Sequence, residues 1–83
     1  MKQMYAVISY RDFEIRVLCA EKDLSWFILE LDALNPDSPG DRLVASGFDL
    51  QTPYASGETA IEAGHAEGRR IVDEKLRLPD GHA

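Results

Sequence analysis

Cysteine is almost absent from this chain. Cys19 stands alone, so no disulfide can close within it, and an intracellular thiol used as a small buried hydrophobe is expected. Long apolar runs are absent too. Those present, such as Trp26 to Leu29, have strand length, against the roughly 20 residues needed to cross a bilayer. Met1-Lys2-Gln3-Met4 lacks the apolar stretch of a secretory signal, so a cytoplasmic protein without membrane contact is expected. Bases are scarce. Nine stand against fifteen acids, for a net charge of −6. A nucleic-acid binder must neutralise phosphates with clustered Lys and Arg, and most of this surface would repel a duplex.

Catalytic and phosphate-binding motifs are equally sparse. There is no Gly-x-Ser-x-Gly elbow and no glycine-rich phosphate loop; Ser38-Pro39-Gly40-Asp41 reads as a turn. His65 and His82 have no second His or Cys at ligand spacing, so no metal site is expected. The acidic pair Asp73-Glu74 reads as a solvated helix surface. At 83 residues the chain can bury one core and has no second layer to enclose a cofactor. No catalytic residues, no cofactor and no enzyme activity are expected.

What is present is a 45% hydrophobic composition, ample for one globular core. Tyr5 to Tyr10 is aromatic and β-branched and reads as a strand, with Arg11-Asp12 as a turn or bend after it. Phe13 to Ala20 has the cleanest alternation, with Phe13, Ile15, Val17 and Cys19 on one face. Glu21 to Ser25 reads as a polar hairpin loop. The next strand, Trp26 to Ala33, places Phe27, Leu29 and Leu31 on one face. Trp26, Ile28, Glu30 and Asp32 then lie on the other. Pairing Val17 with Leu29 sets Cys19 against Phe27, Ile15 against Leu31 and Phe13 against Ala33 on the buried side. On the open side it sets Arg16 against Glu30, Leu18 against Ile28 and Glu14 against Asp32.

Asn35 to Asp41, with two prolines and a glycine, reads as a loop. Leu43 to Leu50 resumes extended structure, with Val44 and Phe48 assigned to the core side and Gly47 to a bulge or edge. Ser56 is suited to cap a helix from Gly57 to about Leu76, with Glu58 in its first turn. Ile61, Gly64, Gly68, Ile71 or Val72, and Lys75 follow the spacing of a buried stripe. Gly64 and Gly68 would let the helix backbone approach the sheet closely. Leu78 to Gly81 ends the helix, leaving 78–83 as a loose tail. The expected architecture is α+β. Residues 1–83 form one domain with a three- or four-stranded antiparallel sheet and one C-terminal helix packed on one face.

Two segments carry a resemblance. The first runs Tyr54-Ala55-Ser56-Gly57-Glu58-Thr59-Ala60-Ile61-Glu62-Ala63-Gly64, then on through Arg69-Arg70 to Ile71-Val72-Asp73. It resembles the ending of small proteobacterial β-β-β-α domains of unknown function, where a capped helix leads to a basic pair and an apolar pair before Asp. Tyr10 to Val17 is similar to their opening strand, with Asp12 where Gly is usual; Ile71 stands where Trp is frequent. The resemblance implies a sheet-plus-helix fold and brings no catalytic residues.

The functional expectation is a non-catalytic protein-interaction domain. Its binding face would carry Glu14, Arg16, Trp26, Ile28, Glu30 and Asp32 and would meet a protein partner with a basic surface, alone or as a homodimer. Compact phage-type inhibitors of bacterial defence complexes are similar in size and charge. The alternatives are a nucleic-acid binder using Arg69, Arg70, Lys75 and Arg77, against which the net charge stands, and an antitoxin-like partner of a toxin.

Overall fold

The computed structural model describes residues 2–45 and 50–77. The expected positions of Gly47 and Phe48, and the 78–83 tail, lie outside them. Strands β1 (Gln3–Tyr10), β2 (Phe13–Lys22), β3 (Ser25–Asn35) and β4 (Ser38–Val44) form an antiparallel sheet in the order β1-β2-β3-β4. Helix α1 (Gly57–Arg77) packs on one face against β1, β2 and β3. This is the expected α+β architecture, with four strands and Gln3–Tyr10 as one of them.

Both hairpins among β1, β2 and β3 close through two residues. Arg11 and Asp12 have φ of 50° and 70°, and Asp23 and Leu24 have φ of 53° and 68°. Positive φ at both central residues is what a type I′ turn requires, and its twist matches the flanking strands. The second turn is therefore tighter than the polar loop expected between residues 21 and 25. Lys22 pairs with Ser25, Ala20 with Phe27 and Cys19 with Ile28.

A bulge then corrects the expected register again. Pairing shifts between Leu18 and Cys19, leaving Leu29 as the extra residue of β3, and resumes with Leu18 opposite Glu30 and Val17 opposite Leu31. An extra residue reverses the alternation beyond it. The core side of β3 is thus Trp26 and Ile28 before the bulge and Leu31 and Ala33 after it, all buried. Trp26 and Ile28 face the helix, contrary to their expected place on the open side. Arg16 lies opposite Asp32 rather than Glu30, and Glu14 lies opposite Leu34, so the like-charged Glu14/Asp32 pair does not form. On β2 the expected stripe of Phe13, Ile15, Val17 and Cys19 is the centre of the core. On β4, Leu43 packs against the core and Val44 is exposed, reversing the expected side of Val44.

Ser56 caps α1. Its Oγ accepts the Thr59 N–H at 3.1 Å and its carbonyl accepts the Ala60 N–H at 3.1 Å. Before the cap, Tyr54 pairs with Trp26 through two backbone hydrogen bonds of 2.8 and 2.9 Å, pinning the helix entry to β3. The buried line of α1 is Gly57, Ala60, Gly64, Gly68 and Val72; Ile61 and Ile71 flank it and Lys75 is exposed. A Cβ at Gly64 would sit 2.7 and 2.8 Å from the Val17 methyls, and one at Gly68 would run into Ile15. Alanine would add about 1 kcal/mol of helix propensity. Forcing a methyl against a stiff, fully buried side chain of an inner strand costs about 1–3 kcal/mol. The expected result for Gly68→Ala is no net gain and a loss of up to about 2 kcal/mol by urea denaturation, although helix propensity alone predicts a gain of about 1 kcal/mol.

Candidate functional site

Among the described residues, no helix or strand lies over the sheet face opposite α1. β1 turns Tyr5 and Val7 to that side, β2 Arg16 and Leu18, β3 Phe27 and Asp32, and β4 Arg42 and Val44, as the register dictates. Exposure is high for large apolar residues: 61% for Tyr5, 44% for Val7, 45% for Leu29 and 59% for Val44. Scattered singly such residues mean little, but here they share one face.

At the centre of the face lies an ion cluster. Asp32 is only 7% exposed. It accepts Nε of Arg16 at 2.7 Å on one oxygen and a terminal nitrogen of Arg16 at 2.6 Å on the other. The second oxygen also accepts Nε of Arg42 at 2.7 Å. Direct opposition on neighbouring strands gives the Arg16 fork its two-point fit. The hydrogen bonds from Arg16, together with the one from Arg42, hold the Asp32 carboxyl below the usual carboxylate range and outweigh its burial. Asp32 raises Arg16 in return. The cluster forms the floor of a depression of about 170 Å³ shared with Tyr5, Leu18 and Glu30. Asp32 is therefore satisfied internally, and Glu30 is the accessible acid beside it.

Next to the cluster is an apolar hollow of about 430 Å³, lined by Ala20, Lys22, Phe27, Leu29, Leu50 and Gln51. Lys22 is the one charged side chain in its lining. The two-residue turn sets Phe27 opposite Ala20 and away from the core, and the bulge leaves Leu29 exposed beside it.

Of the residues expected on the binding face, the structure brings together Glu14, Arg16, Glu30 and Asp32 and removes Trp26 and Ile28 to the core. Sequence reasoning missed Phe27, Leu29, Arg42 and Val44. The alternation of Tyr5, Val7 and Ser9 was available as a signal for the β1 contribution; nothing in the sequence marks the bulge that exposes Leu29.

The basic residues of α1 do not form one patch. At about 100° per residue, Arg70 and Arg77 share a side while Arg69 and Lys75 point elsewhere. Arg70 is engaged by Glu67 at 2.7 Å and Glu74 at 3.0 Å. At the other end of the sheet, the Tyr10 hydroxyl donates to both Asp73 oxygens at 2.8 and 3.0 Å, and Arg11 donates to one at 2.8 Å. These contacts, Arg11 first, lower the Asp73 carboxyl and tie the first turn to the helix.

Cys19 is buried, and burial pushes its thiol up. No group of three or more His, Cys, Asp or Glu among the described residues could hold a metal ion. No helix among them is long and apolar enough to cross a membrane.

His65 sits on α1 beside Ala6 of β1, with Nε2 buried and without a hydrogen-bond partner. Burial lowers its pKa below the ordinary 6.5, and the nearby Arg69 adds to this while the Ala6 backbone opposes it. The unfolded chain therefore binds more protons below pH 6.5, so acidification destabilises the fold. Thermal melts from pH 7.5 to 5 should show wild type losing stability relative to His65→Gln as pH falls below 6.5. The depressed carboxylates of Asp32, Glu67 and Asp73 titrate lower still. A pH-independent difference between the two proteins would contradict the assignment.

The fold and face together define a two-layer α+β domain with one sheet face free of secondary structure among its described residues. No family model, curated protein or solved structure matches the chain.

Proposed function

We propose that this chain is a non-catalytic protein-interaction domain that docks its partner on the open sheet face. The observation that carries this reading is the apolar hollow around Phe27 and Leu29 set beside an ion cluster in which the Asp32 carboxylate is held by Arg16 and Arg42. Such a face offers an apolar side chain a place to insert among apolar neighbours, with Lys22 alone carrying charge in the lining. Glu30 at the rim and the net charge of −6 favour a partner with a basic surface. An acidic module seated on a basic, nucleic-acid-handling complex would exclude nucleic acid from it, which is the action of an inhibitor of the phage type. The nucleic-acid reading has less support, because Arg70 is already held by two carboxylates.

The test is co-purification from host cells with three folded variants. Leu29→Lys and Val44→Lys charge the open face, and Glu62→Lys changes the outer side of α1. The open-face variants should each recover at least tenfold less of the bound protein, and Glu62→Lys should recover it as wild type does. Retention by both open-face variants would sink the reading. Salt-sensitive retention of nucleic acid by wild type would favour the alternative.

A further inference from the structure

We infer that β1 is a self-pairing edge through which two copies of this chain join their sheets into one. This inference is independent of the reading of the open face, because it concerns backbone groups at the sheet border.

The sheet has two outer strands, and they differ sharply. β4 contains Pro39, Asp41 and Arg42, and its pairing with β3 is interrupted between Ala33 and Asn35. Proline, charge and irregular pairing are the devices that keep an edge from adding another strand. β1 has none of them. Its sequence, QMYAVISY, holds no charge and no proline, and it pairs with β2 without a shift from Gln3 to Tyr10.

The register shows which backbone groups are available. The Lys2 carbonyl accepts the Glu21 N–H at 2.9 Å, so Lys2 points its backbone inward, towards β2. In an antiparallel pair this orientation alternates. Met4, Ala6, Ile8 and Tyr10 therefore bond to β2, while Gln3, Tyr5, Val7 and Ser9 direct N–H and C=O groups outward.

A second copy is the occupant that fits. Two-fold pairing centred on Ala6 sets Tyr5 against Val7 of the other copy, and Val7 against its Tyr5. Gln3 then meets Ser9, and every outward N–H finds a carbonyl. Aromatic and β-branched residues are favourable cross-strand neighbours, and this register makes that pair twice. The charge distribution points the same way. Copies carrying −6 each repel one another, and β1 is a strand on which they can meet without opposing like charges.

The test is sedimentation equilibrium over a concentration series of wild type, Val7→Pro, Val7→Lys and Ala6→Cys. Val7→Pro removes an outward donor while sparing every bond to β2, as edge positions allow; Val7→Lys guards the edge with charge if the proline variant does not fold. The inference expects a two-chain species in wild type and at least a tenfold weaker association in the folded Val7 variant. It also expects a disulfide-linked dimer on oxidation of Ala6→Cys, and added salt should strengthen association by screening repulsion. A wild type that stays monomeric up to roughly 1 mM, where a millimolar association would half-saturate, would overturn it. So would a dimer that persists with full affinity in the folded Val7 variants.

Discussion

Trp26→Ala is expected to lower the unfolding free energy by about 3–5 kcal/mol, the loss typical of emptying a buried aromatic site. For a domain of this size that displaces the melting midpoint by at least about 12 °C. Trp26 is buried between the sheet and the helix entry, where Tyr54 brackets its backbone. Its ring also lies 3.3 Å from where a Cβ at Gly57 would stand. Truncation therefore opens the end of the core where the chain turns into α1. Were Trp26 on the open face, as unbroken alternation implies, alanine there would change stability by no more than about 0.5 kcal/mol. Chemical denaturation separates the two outcomes cleanly. It also shows that a Trp26 variant cannot serve as a surface probe of binding.

Asp32→Ala carries the second large effect. Removing this carboxylate leaves Arg16 and Arg42 side by side with no anion between them. Breaking a buried pair costs about 3–5 kcal/mol when the remaining charge stays buried. Here the Arg16 side chain is 33% exposed and that of Arg42 55%. Both can turn to water, so a loss of about 2–3 kcal/mol is expected. Arg42→Ala, which removes one exposed partner, should cost about 1 kcal/mol or less. The pH dependence has a definite sign. The folded-state carboxyl of Asp32 is lowered, so its contribution is present above the ordinary carboxylate range and disappears as pH falls through the depressed value. Equal, small losses for Asp32→Ala and Arg42→Ala would mean that the cluster is an ordinary surface pair.

The parts of this structure that were legible in the sequence are those governed by one repeating period. The Phe13, Ile15, Val17 and Cys19 stripe, the Ser56 cap and the glycines of the helix underside each follow from local chemistry, and all appear in the fold. The candidate face was only half legible, because it depends on one extra residue in β3. Leu29 breaks the alternation, and no proline, glycine or charge announces it. The tight turn set Trp26 and Ile28 inward and Phe27 outward, and the insertion then put Leu31 and Ala33 in the core and gave Arg16 to Asp32 instead of Glu30. Leu24 at positive φ shows the same limit: a tight turn built without glycine leaves little trace in composition.

The central claim is that the open face meets another protein, and site-specific photo-crosslinking in the host cell tests it most directly. A benzophenone side chain at Leu29 or Val44, on β3 and β4 and away from the β1 edge, is compared with one at Glu62 on the outer side of α1. The account predicts a discrete adduct to the same foreign protein from Leu29 and Val44, and none from Glu62. Adducts from Glu62 alone, or none from either open-face position, would contradict it.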